Sequence, residues 1–350
     1  MSIPIQQAQG LSTDKTIAIY KEMPVVHGFL RSLFTPKESM TKYVSTEVRR
    51  GLEKVAAQVH EYSDGNRNKF SLSTLKMYKP AQFHEYLTAN EYQLYDQVIG
   101  SLAQGDSTFF AEMVREHAEQ LFILQMKIER AVELMCAQAL ETGVVTMLDG
   151  NDISYGRKAG SLLGYSAAND FSINTVNPYE IFDLGCKFIR QTGKSQGGVF
   201  TAIMGTDAMS AFLNNTIVRE RNDIRNINLD MLRTPQREAS GFTLHGEITV
   251  GSNTVRLITY PEYYDNDAGV STAYVNPKVF IMIPEKTNFV LAYGVVPQII
   301  NDNGTIQQKG KYLIQDFKDF KAGKHTIHIK SAPLPVTVSI DTIYTATVLN

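Results

Sequence analysis

The stretch STFFAEMVREHAEQLFILQMKIERAVELMCAQALETG, residues 107–143, decides more about this chain than any other. Ser107-Thr108 offer capping hydroxyls, Glu112 puts negative charge in the first turn, and Thr142-Gly143 close the run. Between them Phe110, Val114, His117, Leu121, Leu124, Ile128, Ala131, Met135 and Ala139 recur at steps of three and four. Glu112, Arg115, Glu119, Lys127, Arg130 and Glu133 occupy much of the rest. The spacing predicts one amphipathic helix over 107–142, roughly 45–50 Å long, about three times the ordinary length. No repeating heptads elsewhere support a coiled-coil rod, so this helix must run as a beam along a large sheet or domain.

Upstream, residues 43–79 read as a long hairpin. A partial alternation begins at Val44, Thr46 and Val48, Asp64-Gly65-Asn66 favour a tight turn, and the returning stretch Phe70–Lys79 stops at Pro80. Neither strand carries enough apolar residues on one face to cover a core, and an isolated hairpin is marginal in water. Strands of ten residues would reach about 33 Å. Dense mixed charge, with Arg49, Arg50, Glu53, Lys54, Lys69 and Lys76 prominent, favours a ribbon lying on a neighbouring copy over a solvated surface hairpin. Residues 1 to about 40 read as an arm in which Thr13–Tyr20 begin a short helix. Ala89–Asp96 read as a short connector to the long helix.

Downstream, Val144–Arg157 predict two short strands around a Gly-Asn turn. Asn177-Pro178-Tyr179-Glu180 has an N-cap, a proline at the first position and an acid at the third, opening a helix that closes at Thr192-Gly193. A strand at Gly198–Gly205, a capped helix at Thr206–Leu213, a hairpin at Glu247–Ile258 and strands near 279–283 and 288–296 complete an α+β unit. From about 310 the chain is β-rich, with Pro333-Leu334-Pro335 expected to break it.

Composition excludes several classes. With 43% hydrophobic and 20% charged residues the bulk of the chain is neither disordered nor of low complexity. No apolar run approaches the ~18 residues of a membrane span, and the N-terminus lacks the basic and apolar regions of a secretory signal. Cys136 and Cys186 are too few for a disulfide framework and fit a reducing compartment. Thirty-four basic residues against 36 acidic ones leave a net charge of −2, against the basic excess that phosphate-gripping proteins carry.

The chemical motifs are weak. Gly193-Lys194-Ser195-Gln196-Gly197 matches a hydrolase nucleophile pattern, but that motif needs a strand turning into a helix, and here a helix precedes and a strand follows. The same segment fails as a phosphate loop because Phe188 stands where the first glycine belongs. Asp265-Asn266-Asp267-Ala268-Gly269 begins like a calcium loop yet has Gly269 and Asn276 at the fifth and twelfth positions. His325 and His328, three apart in an expected strand, face opposite ways and have no cysteine near them to complete a zinc set. No cofactor or metal is implied. Cys136 reads as helix packing.

The order of segments, together with Ala131–Gly143, Ile153–Arg157, Tyr260–Gly269 and Ser331-Ala332-Pro333-Leu334-Pro335, resembles the lambda-type phage major capsid protein E family of tailed bacteriophages. The resemblance implies an α+β tailed-phage capsid fold of the Hong Kong type. It implies an N-terminal arm at 1–42, an extended E-loop at 43–88, a peripheral domain at 89–173 whose spine helix is 107–142, an axial domain at 174–297, and a return to the peripheral domain at 298–350. It further implies a non-enzymatic head protein that assembles as hexamers and pentamers into an icosahedral shell around double-stranded DNA. Assembly in the host cytoplasm, residence in the virion, and scaffolding, decoration and portal partners belong to the same expectation. Arg49, Arg50, Glu53, Lys54, Lys69 and Lys76 are the expected subunit-interface residues. The competing readings are a serine hydrolase using Ser195 with His245 or His325, an encapsulin-like shell holding protein cargo, and a monomeric binding module.

Overall fold

In the computed structural model the described residues are 28–39, 41, 43–48, 74–90, 109–147, 150–221, 231–266, 268–301, 304–308, 310–319 and 324–350. The long helix spans Phe109–Glu141, 33 residues. It ends as expected: the backbone N–H groups of Thr142 and Gly143 both donate to the Gln138 carbonyl, at 3.0 and 3.2 Å. Gly143 sits at φ +73°, a left-handed conformation that a residue bearing Cβ adopts only at a cost.

The buried face of the helix carries Leu121, Leu124, Ile128, Val132, Met135, Cys136, Ala139 and Leu140. Glu133, expected on the polar side, is only 4% exposed, and Gln125 and Glu129 are buried to the same degree. These three polar residues are spaced by four, so they form one stripe along the helix, and it faces protein rather than solvent.

A seven-stranded mixed sheet forms the larger layer. Its order is Leu162–Leu163, Tyr344–Thr347, Val279–Pro284, Val199–Met204, Asn253–Thr259, Thr243–Val250 and Met231–Arg237. The strand Val279–Pro284 is buried along its whole length. Its alternation divides it between two cores: Val279, Ile281 and Ile283 join the cluster that includes the long helix, while Phe280 and Met282 join the cluster beneath the helices Pro178–Gln191 and Thr206–Asn214. A strand buried on both faces reads as a continuous apolar run, and Val-Phe-Ile-Met-Ile is one.

The helix at Pro178–Gln191 is capped by Asn177, whose side chain accepts from the Tyr179 N–H. The next helix, Thr206–Asn214, has Gly205 at its N-cap and no side-chain cap, so the expected Thr206 cap is not what starts it. A Cβ at Gly205 would run into the backbone of Asn276 and Pro277, which explains a glycine there. The predicted hairpins at Val144–Val145 with Ile153–Ser154 and at Thr243–Val250 with Asn253–Thr259 are present.

Pro333-Leu334-Pro335 does not break the sheet. Pro333–Thr337 is a fully buried strand, antiparallel to Phe289–Tyr293, which in turn runs parallel to Thr35–Glu38. It is an edge strand of that three-stranded sheet, where the outward-facing backbone positions need no ladder donor, and the two prolines share one parity. A second three-stranded sheet joins Leu313–Asp319, Lys324–Ser331 and Phe83–Asn90. The last of these takes in Ala89-Asn90, the start of the expected connector. Phe83 and Leu87 pack against the core cluster of the long helix, so this sheet lies on the helix through its inner face.

Candidate assembly interface and its supports

The root of the charged ribbon is in place. Val44–Val48 pairs antiparallel with Thr74–Tyr78, Val44 opposite Tyr78 and Thr46 opposite Lys76. Arg49, Arg50, Glu53, Lys54 and Lys69, like the Asp64-Gly65 turn and the Thr13–Tyr20 helix, lie outside the described residues. Lys76 is described in its backbone only.

Two side chains fasten the root. Val44 is buried, and the Tyr78 ring meets Tyr155 edge-on at 5.5 Å. Tyr155 is itself buried and its hydroxyl donates to the Pro335 carbonyl, so the ribbon's base rests on the same proline strand that was expected to be a break. Burial pushes the Tyr155 phenol far above its ordinary range. Beside it an open groove of about 850 Å³ runs between the ribbon base and the long helix, lined by Met77, Tyr78, Phe83, Leu134, Met135 and Met147.

The buried polar stripe of the long helix holds the segment that precedes the ribbon. The short helix Phe29–Ser32 follows Gly28, and the Glu133 carboxylate accepts from the backbone N–H groups of Leu30 at 2.8 Å and Arg31 at 3.0 Å. Tyr260 donates its hydroxyl to the same carboxylate at 2.8 Å. A Cβ on Gly28 would collide with this carboxylate. One turn earlier, Glu129 pairs with the Arg31 guanidinium at 2.9 Å and with Lys311 at 3.3 Å, and accepts from Gln125 and Tyr312 at 2.8 and 2.9 Å. The two acids respond differently. Burial lifts Glu133 above the usual carboxylate range despite its three donors. Burial also acts on Glu129, but the Arg31 hydrogen bond and charge, with Lys311 and Tyr312, outweigh it and hold the group below that range.

Arg157 is the second support. Its guanidinium donates to the carbonyls of Leu140 and Glu141 at 3.0 and 2.7 Å, which are end carbonyls of the long helix. It also reaches the Ser161 and Ile343 carbonyls at 3.0 Å each, the Thr345 hydroxyl at 3.0 Å and the Ser161 hydroxyl at 3.2 Å. One side chain thus ties the end of the beam to the strand Tyr344–Thr347 and to the turn that leads into Leu162–Leu163 of the large sheet. Among the described residues no carboxylate is paired with it, and burial pulls its pKa down to about 10, still far above neutrality. Glu129, Glu133 and Arg157 carry this framework, yet the sequence reading gave none of them a role. The four-residue spacing of Gln125, Glu129 and Glu133 beside the apolar stripe was the available signal.

The candidate chemistry stays unassembled. Ser195 follows the helix Pro178–Gln191 and precedes the strand Val199–Met204, the polarity opposite to a nucleophile elbow. Its backbone N–H bonds the Ile189 carbonyl, closing the turn in which Lys194 takes φ +55°. His245 is bonded to Thr259 at 2.9 Å, and the His325 side chain lies outside the described residues. Asp265 and Gly269 belong to a hairpin turn between Tyr263–Asp265 and Ser271–Ala273. Both cysteines are free and buried. Among the described residues no three metal-ligating side chains converge, and no helix is long and apolar enough to cross a membrane.

The model of the phage major capsid protein E family matches residues 12–348. The chain belongs to this family. No curated protein matches the sequence. Among solved structures, a protein assigned to the capsid of a prophage of E. coli CFT073 superposes with a TM-score of 0.62 at 15% identity, over 97% of this chain and 99% of that one. A phage-related protein of Bordetella bronchiseptica RB50 gives 0.53 at 8% identity, over 95% of each chain. The asymmetric unit of the mature capsid of bacteriophage PhiM1 gives 0.50 at 8% identity, over 93% of this chain and 88% of that one. At such identities the likeness concerns the fold. This capsid-family chain therefore has the α+β, Hong Kong-type capsid fold of tailed phages.

Proposed function

We propose that this chain builds the icosahedral head of a tailed phage, assembling as hexamers and pentamers around packaged double-stranded DNA. The family match over residues 12–348 carries the reading. Copies are assembled in the host cytoplasm and reside in the virion, with scaffolding, decoration and portal proteins as partners. The chain acts as a wall and carries out no catalysis. Its near-neutral charge suits a container, because a strongly basic lining would hold the DNA through counterion release.

The arm is residues 1–42, the E-loop 43–88, the peripheral domain 89–173 with 298–350, and the axial domain 174–297. Pairing of Phe83–Asn90 with Lys324–Ser331 supports counting the C-terminal return with the chain that leads into the spine helix. Arg49, Arg50, Glu53, Lys54, Lys69 and Lys76 make the E-loop contacts to a neighbouring subunit, where paired charge sets register more than affinity. Negative-stain microscopy of the expressed protein tests the shell. Closed particles are expected from the wild type and a reduced yield from Arg49→Glu/Arg50→Glu. Unchanged assembly of the double variant removes the interface assignment, and the absence of any shell removes the function.

A further inference from the structure

We propose that His84 and His328 form a two-nitrogen site for a divalent d-block cation, which fastens the strand leading out of the ribbon to the C-terminal return strand. The inference uses only the sheet geometry and does not depend on shell assembly. Phe83–Asn90 runs antiparallel to Lys324–Ser331 with His84 opposite Lys330 and Tyr86 opposite His328. The two histidines are therefore diagonal neighbours on the outward face, a separation that long side chains span. Nε2 of His84 lies 2.8 Å from Nδ1 of His328, with ring centroids 5.0 Å apart, so the rings meet nearly end to end and share one proton.

A metal ion would replace that proton. Zinc–nitrogen bonds of about 2.0–2.1 Å in tetrahedral geometry set two ligand nitrogens roughly 3.4 Å apart, so the rings must open by about half an ångström. Both rings have the room, since the pair lies on an exposed face and Tyr86 beside it is 61% exposed. Their orientation is nonetheless guided: Tyr86 stacks on His328 at 5.5 Å and Phe317 meets it edge-on at 5.2 Å. Solvent on the same face can supply the remaining ligands.

The surrounding charges limit the affinity. Lys330 shares the outward face and directs its ammonium toward Gln315 Oε1 at 3.5 Å, while Glu85 points to the inner face and pairs with Lys127 at 3.7 Å. Lys330 stands opposite His84, a like charge that opposes a bound cation. With no third His, Cys, Asp or Glu converging among the described residues, the site is an exchangeable surface chelate. Its effect is to join residues 244 positions apart in the chain, and ligand linkage makes it stabilising in proportion to occupancy.

The test uses the untagged full-length protein, stripped with chelator and titrated with zinc chloride or copper sulfate at pH 7.5. Calorimetry is expected to show a saturable site that His84→Ala and His328→Ala each weaken at least tenfold. The zinc-dependent rise in melting temperature should vanish in both variants. In the wild type, the copper spectrum should show coupling to two imidazole nitrogens, a readout that needs no variant to fold. His84→Gln, which keeps a hydrogen-bonding side chain, should lose the metal response while keeping the metal-free melting temperature. Absence of saturable binding, binding undiminished in both alanine variants, or coupling to fewer than two nitrogens overturns the assignment.

Discussion

Replacing Arg157 by alanine tests the tie between the spine helix and the large sheet. The substitution removes a guanidinium that donates to four backbone carbonyls and two hydroxyls. A hydrogen bond from a charged donor contributes about 1.5–3 kcal/mol, and a cation on helix-end carbonyls adds about 0.3–1 kcal/mol. A simple sum would exceed 9 kcal/mol by these approximate figures, but two effects reduce it. Desolvation of the guanidinium is relieved, and water entering a polar void re-satisfies part of the carbonyl set. A buried carbonyl left unsatisfied costs about 1–3 kcal/mol, and with part of the set re-hydrated a net loss of about 3–4 kcal/mol is expected here. For a chain of 350 residues that is a fall of roughly 4–6 °C in melting temperature.

Arg157→Lys separates geometry from charge. An ammonium is a point donor with three hydrogens and cannot bridge the helix end, the Ser161 turn and the Tyr344–Thr347 strand as a planar fork does. It should recover less than half of the loss. Unassembled subunits are the sample, because shell contacts would mask the change. Thermal unfolding gives the magnitude, and hydrogen exchange at 143–145 and 344–346 gives the location. A destabilisation by Arg157→Ala under about 1 kcal/mol, or full recovery by lysine, would refute the role assigned to the fork.

The remaining expectations concern the same framework. Leu124, 5% exposed on the spine helix, becomes a buried unpaired charge in Leu124→Asp, and the subunit should fail to fold by circular dichroism; a soluble, fully helical product would contradict the packing. Glu129 has a folded pKa below its unfolded value, so its stabilisation is present above the ordinary carboxylate pKa and is lost as pH falls through the folded one. Denaturant unfolding from pH 7 to 3 should therefore show a shallower acid loss in Glu129→Gln, together with about 2–4 kcal/mol less stability at pH 7 because Arg31 and Lys311 lose the carboxylate that faces them; parallel pH profiles would count against the ion pair. Glu133 has the opposite sign: its folded pKa is raised, so it weakens the fold as pH rises from the unfolded value through the folded one. Gly28→Ala forces the Glu133 carboxylate aside and should expose the Phe29–Ser32 segment to protease, with unchanged cleavage speaking against the tether.

Elements whose signals are local were legible from the residues alone. The spine helix followed from a three-and-four apolar period between caps, and Asn177-Pro178 announced the next helix through a hydrogen bond two residues long. The reversed polarity around Ser195 was equally legible, because it depends only on the order of helix and strand. The fates of groups whose partners lie far along the chain were set by packing. Glu133 reads as solvent-facing until the N–H groups of residues 30 and 31, about a hundred positions upstream, are brought against it. Pro333 and Pro335 read as breakers until their strand is found on a sheet edge, where a missing donor costs no ladder bond. Arg157 and the His84–His328 pair have no local pattern at all, since their partners are set by strand order and register. Periodicity and capping are encoded within a few residues, whereas satisfaction of a buried polar group depends on which distant backbone arrives to meet it.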